Sequence, residues 1–355
     1  MHIPDGYLSP QSCVAMYAVA VPFWVAAGRR VRRIVTNRYV PLLAIGAAYA
    51  FLVMMFNVPI PDGTTAHAVG AVLIAVLLGP WAAVIAVSTA LLIQALFFGD
   101  GGVLAFGANC VNMAVLMPFA GYGTYMLVAA RAPLTAPRRA VAAGIGGYVG
   151  LNVAALAAAV ELGLQPSLSS TSDGTPLYAP FDLSQTIPAM LLAHLLVAGV
   201  VEAALTFGVI TYLQRANLPV LQINADVAPA PQRAGGPRPL GWRWALVGLG
   251  AMAALTPLGL LAPGGAFGED APDDLDLRKY HLEAVPRGLR HYAGFFHNAL
   301  FDGYGFDNDA HPALGYVVSA AVGLLATAIV IFAFCKIVRS LHRSLADRRD
   351  PAGAS

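Results

Sequence analysis

The feature that most constrains this chain is the recurrence of apolar runs, several reaching 18 residues or more, between a few charged connectors. A helix of that length crosses the roughly 30 Å hydrocarbon core of a bilayer. Of the 355 residues, 58% are hydrophobic and 11% charged, whereas soluble domains carry roughly 25% charged residues. So little charge excludes a water-soluble fold. The chain reads as an all-α polytopic membrane protein with about nine transmembrane helices, at about 11–28, 39–56, 66–79, 81–98, 103–130, 140–163, 185–213, 242–262 and 313–335. The third run is short, and Gly79-Pro80 after it suits a tight helical hairpin with the fourth.

Orientation follows from the distribution of Lys and Arg. Arg29, Arg30, Arg32, Arg33 and Arg38 follow the first span, and Arg131, Arg138 and Arg139 the fifth. Arg215, Arg233, Arg238 and Arg243 flank the linker after the seventh; Lys336, Arg339, Arg343, Arg348 and Arg349 fill the tail. All seventeen share a side if nine spans alternate, while the other side receives Arg278, Lys279, Arg287 and Arg290 in a loop that is acidic overall. The expected topology is N-terminus outside and C-terminus cytoplasmic. Prolines and the Gly235-Gly236 pair make 216–241 a cytoplasmic linker. It divides a seven-span unit, 1–215, from a two-span unit, 242–340, with a large outer loop at about 263–312 and a cytoplasmic tail at 341–355.

The net charge of +2 says little, because the positive charges are segregated by side rather than spread over a nucleic-acid surface; membrane lipid and no nucleic acid is expected around the chain. Cys13, Cys110 and Cys335 lie far apart in apolar stretches, as buried free thiols do. Met1 is followed by His2, Ile3, Pro4, Asp5 and Gly6 instead of a basic and then apolar leader, so the mature chain is expected to keep its own first residue.

That residue matters chemically. A free α-amine, the amide nitrogen of His2 and its imidazole can close fused chelate rings on one metal ion, a nitrogen-rich set suited to Ni(II), Cu(II) or Co(II). His67 falls at the outer end of a span, on the same side as Met1. On residues alone it fits a ligand and an interfacial hydrogen-bonding histidine equally. The segment from Gln94 through Phe98-Gly99-Asp100-Gly101-Gly102 to Asn109 and Asn112 is also outside or just within the membrane. Its glycines permit close backbone approach. The Asn109 and Asn112 amides suit either support of ligand imidazoles or bonds between helices, the latter better for Asn112. His194 and Glu202 share a helix face in the seventh span and suit a polar network or packing against a neighbour. His281, His291, His297 and His311 are spaced as in a solvated loop, and Ala18 and Ala26 give the first span a small-residue face.

Met1-His2-Ile3-Pro4-Asp5-Gly6-Tyr7-Leu8-Ser9-Pro10 resembles the opening signature of the CbiM/NikM family, the substrate-capture components of energy-coupling factor transporters for cobalt and nickel. The Gly63–His67 segment, Phe98–Gly102 with Gly107-Ala108-Asn109, and Ala193-His194-Leu195 with Val201-Glu202 are similar to its later signatures, in order. The resemblance covers about residues 1–215. It implies transported Ni(II) or Co(II) held by Met1, His2 and His67, with Asp100 and Asn109 as supporting residues, and no catalytic cofactor. Residues 242–335 resemble the small two-helix CbiN/NikN partner, here fused. The family further implies a transmembrane coupling component and cytoplasmic ABC-type ATPases as partners. The chain has no GxxxxGK[ST] loop, so it is not expected to be an ATPase or another enzyme. The rival is a self-sufficient secondary transporter, for which Glu161 and Glu202 are the candidate intramembrane carboxylates.

Overall fold

The computed structural model describes residues 1–34, 39–60, 65–224, 242–262, 265–280, 282–306 and 311–347. A helix corresponds to each expected span: α1 (Pro10–Ile34), α2 (Tyr39–Met54), α3 (Ala71–Leu78), α4 (Pro80–Phe98), α5 (Phe106–Ala129), α6 (Pro137–Gly163), α7 (Leu183–Ala216), α8 (Trp242–Leu255) and α9 (Pro312–Asp347). Seven helical stretches are long and apolar enough to cross a membrane, counting α8 with the 3₁₀ turn that extends it, and α2 is a shorter apolar helix of 16 residues.

The third expected span differs. Its helix, α3, has eight residues, about 12 Å at 1.5 Å per residue, and is preceded by extended backbone. Residues 65–66 pair antiparallel with 58–59 in a two-stranded ribbon. The cause lies in α7, whose Glu202 carboxylate accepts hydrogen bonds from the Val69 and Gly70 amides at 2.8 and 3.0 Å. Gly70 takes φ 75°, the left-handed region open to glycine without steric cost. Hydropathy registers the apolar content of 66–79 but not this break.

α6 packs between α5 and α7 through a face rich in alanine and glycine, the usual means of close helix approach in lipid. α9 packs on α2 and α4, and α8 on α2. Val14, Val21 and Val25 of α1 and Leu325, Ile329 and Phe332 of α9 remain exposed on the flanks, as lipid-facing side chains must. Two ends result. At one, Arg30 lies 4.4 Å from the Trp81 ring centroid, and Gln214 bonds Leu134 and Ala136 carbonyls. The start of the expected linker also docks here, with Asn224 donating to the Ala75 carbonyl at 3.2 Å; its remainder, 225–241, lies outside the described residues. At the other end, residues 1–9 meet His67 and the 100–105 segment under the loop of the second unit.

Candidate metal centre

Residues 1–9 have no regular secondary structure, yet most are buried. Such backbone survives only if its polar groups find partners. Asn109 supplies two, accepting from the Ile3 amide at 2.8 Å and donating to the Ile3 carbonyl at 3.1 Å. Gly102 donates a third bond to the same carbonyl at 2.9 Å. The Asp5 carboxylate accepts from the amides of Val103, Leu104 and Ala105 at 3.0, 2.8 and 3.2 Å, filling the donors left open where α5 begins. Burial pushes the Asp5 carboxyl up, and these three amides draw it back. A side chain on Gly102 would collide with Asp5, so only glycine allows this approach. Ser9 donates its amide to Gln165 at 2.9 Å, closing the segment.

This clamp brings His2 against His67. The ring centroids are 4.9 Å apart, and His2 Nδ1 lies 3.2 Å from His67 Nε2. The surroundings assign the protons. His67 Nδ1 faces the Ala68 carbonyl at 3.0 Å and must donate, leaving a lone pair on Nε2. His2 Nε2 faces Gln94 Oε1 at 3.2 Å. The amide of Gln94 is oriented by its own donation to the Tyr304 hydroxyl at 3.0 Å, and that hydroxyl donates to Asp100 Oδ2 at 2.5 Å. His2 therefore donates through Nε2 and presents the lone pair of Nδ1. That atom also faces Asp100 Oδ1 at 3.2 Å.

Three electron-rich atoms thus meet with no hydrogen between them, and the arrangement calls for a positive centre, either a proton or a metal ion. Two nitrogens each bound at about 2 Å and at right angles stand roughly 2.8–3 Å apart, close to the observed separation. Among the described residues no three His, Cys, Asp or Glu side chains gather as a metal site, so an ion held by this imidazole pair would need further donors. The Met1 amine is at hand, its side chain 1% exposed and its nitrogen 2.8 Å from Glu269 Oε1. Burial holds the His67 pKa well below the usual imidazole value, and the positive Met1 terminus and His2 push it the same way. A neutral imidazole is the form that binds metal.

Residues 2–219 match CbiM, the cobalt uptake substrate-specific transmembrane region. The chain belongs to the CbiM family. A fused nickel transport protein, NikMN, of Rhodobacter capsulatus is 45% identical over 337 residues, covering 91% of this chain and 94% of that protein. A probable fused nickel transport protein, LarMN, of Lactiplantibacillus plantarum is 46% identical over 94% of this chain and 95% of its own length. A cobalt transport protein, CbiM, of Geobacter sulfurreducens is 33% identical over 67% of this chain and 66% of its own. The crystal structure of a truncated transition metal transporter, 56% identical, covers 60% of this chain and 98% of that one with a TM-score of 0.57. The fused relatives extend through α8 and α9, so this is a CbiM-family membrane protein carrying a NikN-like second unit. The family is one of metal transport proteins, and the chain is a multi-pass cell-membrane protein.

Within this CbiM fold, Met1, His2, His67 and Asp100 come together, while Asn109 holds Ile3 main chain instead of an imidazole. Asn112 bonds Glu161 of α6 at 2.9 Å, a contact between helices. His194 and Glu202 are separated by a π-helical turn, His194–Ala198. His194 Nδ1 bonds the Met190 carbonyl of its own helix at 2.7 Å, and Glu202 grips the Val69 and Gly70 amides after His67. Glu161 and Glu202 thus both serve contacts between segments. In the outer loop, His291, His297 and His311 are exposed, and His281 lies outside the described residues. Sequence reasoning did not assign roles to Gln94, Glu269 and Tyr304. Gln94 alone carried a signal, a polar side chain in the last turn of an apolar helix.

Proposed function

We propose that this chain captures Ni(II) or Co(II) outside the cytoplasmic membrane and delivers it inward as the substrate-specific subunit of an ATP-driven energy-coupling factor importer. The ligands are the Met1 amine, the His2 amide nitrogen, His2 Nδ1 and His67 Nε2, with Asp100 acting on His2 through Tyr304 and Gln94 and Asn109 fixing the chain that follows it. The observation carrying this reading is the 3.2 Å approach of two imidazole nitrogens whose ring partners are both committed elsewhere. The Met1 end faces outward in this reading because the arginine-rich connectors collect at the opposite end. Relatives that extend over the second unit are named for nickel, which favours nickel as the principal substrate. With no phosphate-binding loop in the chain, energy comes from a transmembrane coupling component and cytoplasmic ATPases.

Titration of the untagged protein with Ni(II) and Co(II) tests this. His2→Ala should weaken binding by more than about 100-fold, roughly 2.7 kcal/mol. His67→Ala should weaken it less, and the double variant should fall short of the summed losses, because ligands of one ion are coupled. Binding unchanged in both single variants would remove the site. In vesicles, accumulation should require the coupling component and ATPases together with this chain.

A further inference from the structure

The Met1 nitrogen is held by the second unit. Its ammonium donates to Glu269 Oε1 at 2.8 Å, and the Glu269 side chain is 22% exposed against 1% for Met1. The segment carrying Glu269 is fixed from both sides of the candidate centre. Tyr7 donates to the Asp270 carbonyl at 2.9 Å, and the Thr65 amide, two residues before His67, donates to the Gly265 carbonyl at 3.3 Å. We infer that Glu269 is an exchange ligand of the metal site: it takes the arriving divalent cation on its carboxylate and passes it to the Met1 nitrogen.

The inference rests on the reading of Met1 as a ligand. A carboxylate oxygen within hydrogen-bonding distance of a ligand nitrogen is within reach of any ion bound to that nitrogen. Of the Met1–Glu269 pair, Glu269 is the member that reaches solvent, where a hydrated ion is first met. Oxygen ligands suit a hydrated divalent ion, whereas the nitrogens farther in suit retention of a transition metal. The carboxylate also offsets the positive terminus, which would otherwise repel the ion. As the ion moves from Oε1 to the nitrogen, the amine gives up its proton to solvent and the Met1–Glu269 hydrogen bond ends. A group that lowers the exchange barrier acts in both directions, so its removal should slow loading and release together.

Stopped-flow transfer of Ni(II) between a chromophoric chelator and the full-length protein with its native N-terminus measures both rates. Glu269→Gln should slow association and dissociation each by about tenfold while Kd stays within about threefold. Glu269→Asp, which keeps the charge on a shorter arm, should recover part of both rates. Unchanged rates in Glu269→Gln would overturn the proposal, and so would a change confined to one rate, the behaviour of a plain counter-ion. His2→Ala in the same series separates the two readings. Lost binding there beside unchanged rates in Glu269→Gln sinks only the exchange role, whereas intact binding in His2→Ala sinks the site itself.

Discussion

Two stretches without long helices meet at the Met1 end of the bundle, and they are held by different means. Residues 1–9 are gripped by buried side chains: Asn109 on Ile3, Asp5 on the amides before α5, and Gln165 on Ser9. The loop of the second unit is tied mainly through main-chain atoms, with Phe301 donating to the Phe97 carbonyl at 2.9 Å and Gly288 to the Leu177 carbonyl at 2.7 Å. Among its described residues, His291, His297, His311 and the acidic side chains stay in contact with solvent. Bonds from buried side chains fix atomic positions, as a chelate requires. Main-chain bonds from a partly solvated loop hold a cover in place while leaving a path to water. In the proposed function the first stretch is therefore the seat of the metal and the second its access.

If that contrast holds, substitutions in the buried clamp should damage both stability and binding, and substitutions in the cover should cost much less stability. The largest effect is expected for Asp5→Ala, which strands three amides at the start of α5. Each buried orphan costs about 1–3 kcal/mol, so thermal unfolding in detergent should fall by several degrees and metal affinity should collapse. A variant that binds normally would show that the clamp does not position the chelate.

Glu202→Gln comes next. The amide keeps an acceptor for Val69 and Gly70 but loses the charge that strengthens both bonds. We expect a loss of about 1–2 kcal/mol in stability and a smaller loss of affinity than in His67→Ala, read by the same titrations. Equal affinity to the parent would mean that the segment carrying His67 is held without Glu202.

The smallest effect belongs to the cover. Tyr304→Phe removes a hydroxyl bonded to Asp100 and Gln94 but keeps the ring stacked on Phe98 at 4.9 Å. Affinity should fall about threefold, roughly 0.7 kcal/mol, with a drop in unfolding temperature well below that of Asp5→Ala. A shift in unfolding temperature as large as that of Asp5→Ala would erase the distinction between seat and cover.

The same contrast explains what could be read in the sequence. The helices were legible because apolar length alone sets a membrane span, and the contiguous segments carrying Met1, His2, His67 and Asp100 could be singled out, but not how they meet. Asn109 was singled out with its partner left open, since an amide near a histidine motif says nothing of whether it meets a ring or main chain; it meets the Ile3 main chain. Residues 66–79 looked like one span because hydropathy does not see that Glu202, over 130 residues away, holds the Val69 and Gly70 amides outside the helix. Tyr304 and Glu269 act only through tertiary contacts across units. An acidic residue in an acidic loop carries no local mark that it meets Met1.

The central claim is that the chain's own first nitrogen binds the metal, and a single residue placed ahead of Met1 tests it most directly. Calorimetric titration of purified protein with and without that residue should show tight Ni(II) binding in the native form. In the extended form the loss should exceed about 100-fold, with an unchanged unfolding temperature for the metal-free protein. Equal affinity in the two forms would contradict the account, because the amine would then lie outside the coordination sphere.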